Sequence, residues 1–132
     1  MKKILFLITF LATSFCYSQV KDWEFILESE SGTYYYKPNN NRTAWVKVVS
    51  KKTKYYPKET YPKAKTIDGY TMILWKFDCD EQKMGIVKLT TYSKDGKSVD
   101  SFSEDEILVE MDYVNPDSVG EAILYTFCRP KE

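Results

Sequence analysis

The chain has 132 residues and no histidine. Histidine is the side chain whose ordinary pKa lies nearest neutrality. Its absence removes the commonest general base and the commonest neutral metal ligand. A Ser-His-Asp or Cys-His nucleophilic device is excluded outright. Glycine is scarce, at 5 residues, and forms no phosphate-cradling loop. Neither charge sign dominates, with 19 basic and 19 acidic residues. Such balance gives no bulk reason to bind nucleic acid. The only long apolar run is Ile4 to Ala12, broken by Thr9 alone.

That run falls well short of the ~20 residues of a membrane-spanning helix. Lys2 and Lys3 precede it and Cys16-Tyr17-Ser18-Gln19 follows. This is the layout of a secretory signal peptide over residues 1–18, with cleavage expected after Ser18. A rival reading makes Cys16 a lipidated N-terminus, but bulky Phe15 fits poorly before it. The expected mature chain, residues 19–132, is one domain with no transmembrane segment. It carries 17 basic against 19 acidic residues, a net of −2. Its expected place is the periplasm, the outer-membrane surface or the medium.

Two cysteines then remain, Cys79 and Cys128. In an oxidising compartment an even count suits one disulfide, and two unpaired buried thiols are the plainer alternative. The bond would tie the end of the chain back onto its sheet.

What is abundant is tyrosine, 11 in all, ten of them beyond the signal. With the β-branched runs this favours strands. Trp23, Phe25 and Leu27 alternate with Glu24, Ile26 and Glu28, a half-buried strand. Ser31-Gly32 marks a turn into a Tyr-rich partner, Thr33 to Lys37. A third strand is expected over Thr43–Ser50. Lys51–Lys65, with Pro57 and Pro62, reads as an exposed loop or edge. Asp68-Gly69 reads as a turn into a strand over Tyr70–Asp80. There Ile73, Trp75, Phe77 and Cys79 share one face, so Cys79 should point to the core. Met84–Ser93 and Val99–Phe102 flank Asp95-Gly96, the strongest hairpin signal. Ile107, Val109, Met111 and Tyr113 alternate as a further strand.

The period then changes. Ser118 and Glu121 have capping-box spacing. Val119, Ala122, Ile123, Thr126 and Phe127 fall on one helical stripe. The expected fold is α+β, a mostly antiparallel sheet of five to seven strands packed by one C-terminal α-helix.

Few residues invite chemistry. Asp78, Asp80 and Glu81 lack the spacing of a calcium loop. Ser103-Glu104-Asp105-Glu106 reads as a surface turn. The pairs Glu24/Glu28 and Glu110/Asp112 are the glycosidase-like candidates, and each suits the wet face of a strand better. Asn41-Arg42-Thr43 matches a glycosylation sequon only weakly. No cofactor and no metal site are implied, and an enzyme is not expected.

Charge is unevenly spread. Lys47–Lys65 holds seven lysines and one acid, Glu59, while Asp100–Glu121 holds eight acids and no base. Lys51, Lys52, Lys54 and Lys58 lie among Tyr55, Tyr56 and Tyr61. Lysines there can meet sulfated glycans or acidic proteins, with tyrosines as flat contact area. The plainer reading, a solvated loop or protected sheet edge, weighs more on sequence alone.

Several local patterns together resemble the surface-adhesin protein E family. They are Ala44-Trp45-Val46-Lys47, Phe77-Asp78-Cys79, Tyr92 with Asp95-Gly96, Pro116-Asp117-Ser118, Glu121 and Cys128. The resemblance implies a sheet, a C-terminal helix and a disulfide joining them. It further implies an envelope or surface location, extracellular-matrix partners for some members, and dimers. Asp117 stands where the family often has glycine. The expected function is an exported, non-enzymatic binding module with a protein or glycan partner. The alternative is a structural periplasmic protein that supports the envelope or a neighbouring complex without host contact.

Overall fold

The computed structural model describes residues 23–130. The expected signal peptide, its cleavage point and Cys16 lie outside the described residues. β1 (Glu24–Ser29), β2 (Gly32–Pro38), β3 (Thr43–Tyr55), β4 (Lys65–Asp78), β5 (Lys83–Ser93) and β6 (Ser98–Ser103) form an antiparallel meander, each paired with the next. A two-residue strand β7 (Asp112–Tyr113) also pairs with β5, and α1 (Val119–Cys128) closes the chain. The α+β architecture expected from sequence is therefore present.

The two faces of the sheet follow from strand alternation. Tyr36, Ala44, Val46, Phe77 and Met84 point to one side and are buried. Ile123, Leu124 and Phe127 of α1 cover them. Burying each such side chain stabilises by about 1.5–3 kcal/mol, which holds a helix too short to persist alone. Leu124 was not on the expected stripe; the helix turns so that 123, 124 and 127 form its buried face. Ser118 caps it as expected, its Oγ accepting from the Glu121 N–H at 3.2 Å.

The cysteines form a disulfide with Cα atoms 5.7 Å apart, closing a separation of 49 residues. Cys79 does not point into the core as expected. It stands exposed just beyond the end of β4, so the bond clasps the rim of the core. A salt bridge from Arg129 Nη2 to Glu24 Oε2 at 2.5 Å ties the same end of α1 to β1.

Beside the orientation of Cys79, three sequence expectations are corrected. Phe25 is 59% exposed, while Ile26 packs against the core. A register shift between Phe25 and Leu27 breaks the alternation, so Ile26 and Leu27 are both half-buried and Phe25 is left outside. Asp68-Gly69 is no turn, because both residues lie within β4. Gly69 is needed for close approach, since a Cβ there would collide with the backbone oxygen of Tyr92. The expected loop or edge over Lys51–Lys65 is both: β3 continues to Tyr55 as an edge paired with β4 alone, and turns lead from there to Lys65.

The third correction concerns 107–113. β6 takes one edge of β5 as far as Lys88, and β7 takes it again at Met84. The connection between them must leave the sheet, and Asp105 caps a single 3-10 turn at Glu106–Leu108. Ile107 and Leu108 are exposed, while Val109 is buried over Gly85. The Asp95-Gly96 hairpin forms as expected, with the Ser93 N–H donating to Lys97 O at 2.8 Å and Gly96 at φ +90°. A hydrogen bond from Ser93 holds the exposed Asp95 carboxyl below its usual range.

Candidate functional site: a projecting basic arm

β3 and β4 outrun their neighbours. β2 pairs with β3 only as far as Val49, and β5 pairs with β4 only from Gly69. Beyond those points β3 and β4 pair with each other alone, through Thr53–Ile67, Lys54–Thr66 and Tyr55–Lys65. Residues 50–68 thus form a two-stranded arm standing off one end of the sheet. Its tip is turned by Thr60 and Lys63 N–H donations to Pro57 and Thr60 carbonyls. The Tyr61–Pro62 peptide bond in it is cis.

A bulge bends the arm at its base. Ser50 faces Gly69 and Thr53 faces Ile67, so Lys51 and Lys52 share the single opposing residue Asp68. This two-against-one count is a β-bulge, which kinks a strand and re-aims its side chains. Thr53 is buried, its hydroxyl donating to Ser50 O at 3.0 Å. Lys51, Lys52 and Lys54 remain exposed around it. Lys52 and Lys54 line a shallow cavity of about 570 Å³ with Tyr34, Val48 and Ile73.

The other proposed contact residues sit farther out. Tyr56 and Tyr61 are 53% and 74% exposed, Lys58 is exposed and Tyr55 is half-buried. The sequence-selected residues therefore divide into a lysine base and a tyrosine-bearing tip on one arm. From Lys51 to Lys65 the arm holds six lysines against Glu59.

A second feature escaped sequence reasoning. On the sheet face away from α1, Lys47 Nζ lies 5.9 Å from the Trp23 ring centre and 4.8 Å from that of Tyr70. Tyr70 in turn stacks on Tyr92 at 4.9 Å. Cations over aromatic faces attract the ring quadrupole. The row crosses β3, β4 and β5 and ends beside Gly69, at the foot of the arm. Alternation of Lys47 with Val46 and Val48 was the available signal, but only strand pairing aligns the row.

The acidic candidates have structural duties. Asp78 Oδ1 accepts from the Glu81 N–H at 3.1 Å, and Asp105 caps its turn. Glu24 is held by Arg129. Thr43 of the sequon is fully buried, with its hydroxyl donating to Asn40 Oδ1 at 2.9 Å. Among the described residues, no group of three or more His, Cys, Asp or Glu is arranged to hold a metal. No helix among them is long and apolar enough to cross a membrane.

Residues 23–129, which include the whole sheet, the arm and α1, match the family described as surface-adhesin protein E. The chain belongs to that family. No curated protein and no solved structure matches it. Membership supports an exported protein of adhesin type.

Proposed function

We propose that this family member is a non-enzymatic binding module of the bacterial envelope or surface, and that the β3–β4 arm is its contact element. The observation that carries the reading is the arm's projection. A segment with six lysines and one acid extends past the last pairings of β2 and β5, which gathers its charge at one end of the sheet. Basic groups on a projecting element speed encounter with an acidic surface, and exposed tyrosines add contact area at small entropic cost. The partner class is an acidic extracellular-matrix protein or a sulfated glycan.

A solid-phase screen against matrix proteins and heparin-type glycans tests this. Binding should fall at least about tenfold in the Lys51→Ala/Lys52→Ala/Lys54→Ala variant, the equivalent of about 1.4 kcal/mol. It should weaken further with salt. Unchanged binding by that variant rejects the arm. Absence of any matrix or glycan ligand favours the envelope-support role instead.

A further inference from the structure

The sheet face away from α1 has an unusual composition. Strand register sets fifteen side chains on it between β2 and β6, in three rows that run across the strands. Lys37, Lys47 and Lys88 are its charged members, and none of the fifteen is an acid. The chain as a whole has as many acids as bases, so this face is selectively cationic. It is also apolar where a solvated face of an antiparallel sheet is normally polar. Trp45, Met72 and Leu74 are half-buried in its middle, and Val49 is 40% exposed. Tyr35, Tyr70 and Tyr92 stand among them. At the β1 edge, exposed Phe25 meets Tyr35 with ring centres 6.2 Å apart. There the Trp23 ring holds Lys37 Nζ at 5.8 Å as well as Lys47. Glu28 at one corner and Asp68 at the foot of the arm lie outside the rows. Among the described residues none of the three lysines is ion-paired, since the one salt bridge joins Arg129 to Glu24. At the end opposite the arm, Lys76 donates to Glu106 O at 2.9 Å and so seats the 3-10 turn beside the face. Ile107 and Leu108 on that turn are 85% and 69% exposed.

We propose that this face lies against an anionic phospholipid surface. Tryptophan and tyrosine settle at headgroup level, where an apolar body and a polar tip are both served. Lysine stems lie along apolar surface while their ammonium groups reach phosphates. Anionic headgroups attract each such lysine, and no acid within the rows opposes them. Ile107 and Leu108 are placed to enter the boundary of the acyl chains. The acids of their turn stand outside the rows, and Asp105 is engaged in capping. Two other occupants fit less well. β3 and β5 flank β4, so Lys47 takes one face of the Tyr70 ring and Tyr92 the other. A sugar ring therefore finds no open face on Tyr70 to stack against. A protein partner needs more area. The face spans about 24 Å across the strands and about 13 Å along them, or about 300 Å², whereas a specific protein contact buries about 800 Å² on each side. The inference goes beyond the proposed function and uses a separate surface: the arm meets the partner, and the face meets the membrane.

The test is co-sedimentation of the purified, oxidised protein with vesicles, with tryptophan emission read on the same samples. The protein should bind vesicles of phosphatidylcholine with phosphatidylglycerol, ignore phosphatidylcholine alone, and release as salt rises. Trp23 and Trp45 lie on the face, so their emission should shift to the blue and be quenched by brominated acyl chains. The variant Lys37→Glu/Lys88→Glu should lower partitioning by at least roughly thirtyfold. Phe25→Ser/Ile107→Ser, at two exposed positions, should lower it by about tenfold. Both variants should keep the far-ultraviolet circular dichroism and the arm-dependent ligand binding of wild type. The Lys51→Ala/Lys52→Ala/Lys54→Ala variant should still bind vesicles. A wild type that ignores anionic vesicles at low salt overturns the inference. So does vesicle binding that the arm variant abolishes and Lys37→Glu/Lys88→Glu leaves intact. Loss of heparin-type binding by Lys37→Glu/Lys88→Glu, with vesicle binding unchanged, overturns it in favour of a glycan. Arm-dependent matrix or glycan binding without vesicle binding sinks this inference alone, and the reverse pattern sinks the proposed function alone.

Discussion

Phe77 and Phe127 stack with ring centres 4.2 Å apart and planes inclined by 13°. Each lies within two residues of a disulfide cysteine, so one aromatic pair and one covalent bond fasten the same end of α1 to the same end of β4. Phe127→Ala should cost about 3–5 kcal/mol, the usual range for a buried phenylalanine. The Cys79→Ala/Cys128→Ala variant should cost about 2–4 kcal/mol by the loop-closure argument. Denaturant unfolding measures both. A double-cysteine variant as stable as wild type would show that apolar packing alone seats the helix. Two freely reactive thiols in native protein would remove the clasp altogether.

Gly69→Ala should destabilise more than its size suggests. The new methyl would meet the Tyr92 carbonyl oxygen, and a backbone atom cannot swing aside as a side chain can. The β4–β5 pairing must open locally, at a cost of about 1–3 kcal/mol. Gly96→Ala is the control, since nothing lies within 4 Å of a Cβ there and only its φ of +90° is strained. A wild-type unfolding midpoint for Gly69→Ala would contradict the close approach.

Ser118→Ala should cost about 1 kcal/mol. Its Oγ accepts from the Glu121 N–H and donates to Asn115 O at 2.6 Å. Ser118→Asp keeps the acceptor and should recover most of the loss, which separates capping from simple packing. Equal stability of the alanine and aspartate variants would count against the cap.

Tyr36 gives a pH signature. Burial, the largest influence, pushes its hydroxyl above the ordinary 10.0; Arg129 opposes it by less, and the Glu24 carboxylate adds a still smaller rise. The folded state therefore holds this proton after the unfolded chain has released it. Its contribution is complete below about pH 10 and is lost as pH rises through the folded value. Tyr36→Phe should flatten that alkaline decline relative to wild type, as followed by thermal unfolding across alkaline buffers. Parallel curves for the two proteins would show that Tyr36 ionises as freely as an exposed tyrosine.

Much of the fold was legible because its signals are local. Asp95-Gly96 dictates a tight turn within two residues, and Ser118 and Glu121 set a helix start within one turn. The strand expected over Met84–Ser93 lies within a residue of the observed start of β5. Asp68-Gly69 looks the same locally as a turn, yet it is strand. Its conformation was decided by Ser50 on one side and Ser93 on the other.

The candidate site was legible in composition and hidden in shape. Lys51 to Tyr61 stood out as basic and tyrosine-rich, but the strand β3 within it, its bulge and its projection depend on where β2 and β5 stop pairing. Trp75, Phe102 and Glu110 are far apart in sequence, and only the order of strands brings them to one surface groove.

By itself the sequence determined the class of fold, the helix and its cap, the tight hairpin and the pair of cysteines that could close the chain. Each of these rests on neighbours within a few positions, or on a count. Tertiary structure alone decided which residues of β1 face inward, that 106–111 leaves the sheet, and that the lysines stand on an arm. Those outcomes depend on which strand edge is already occupied, and that is fixed by partners many residues away.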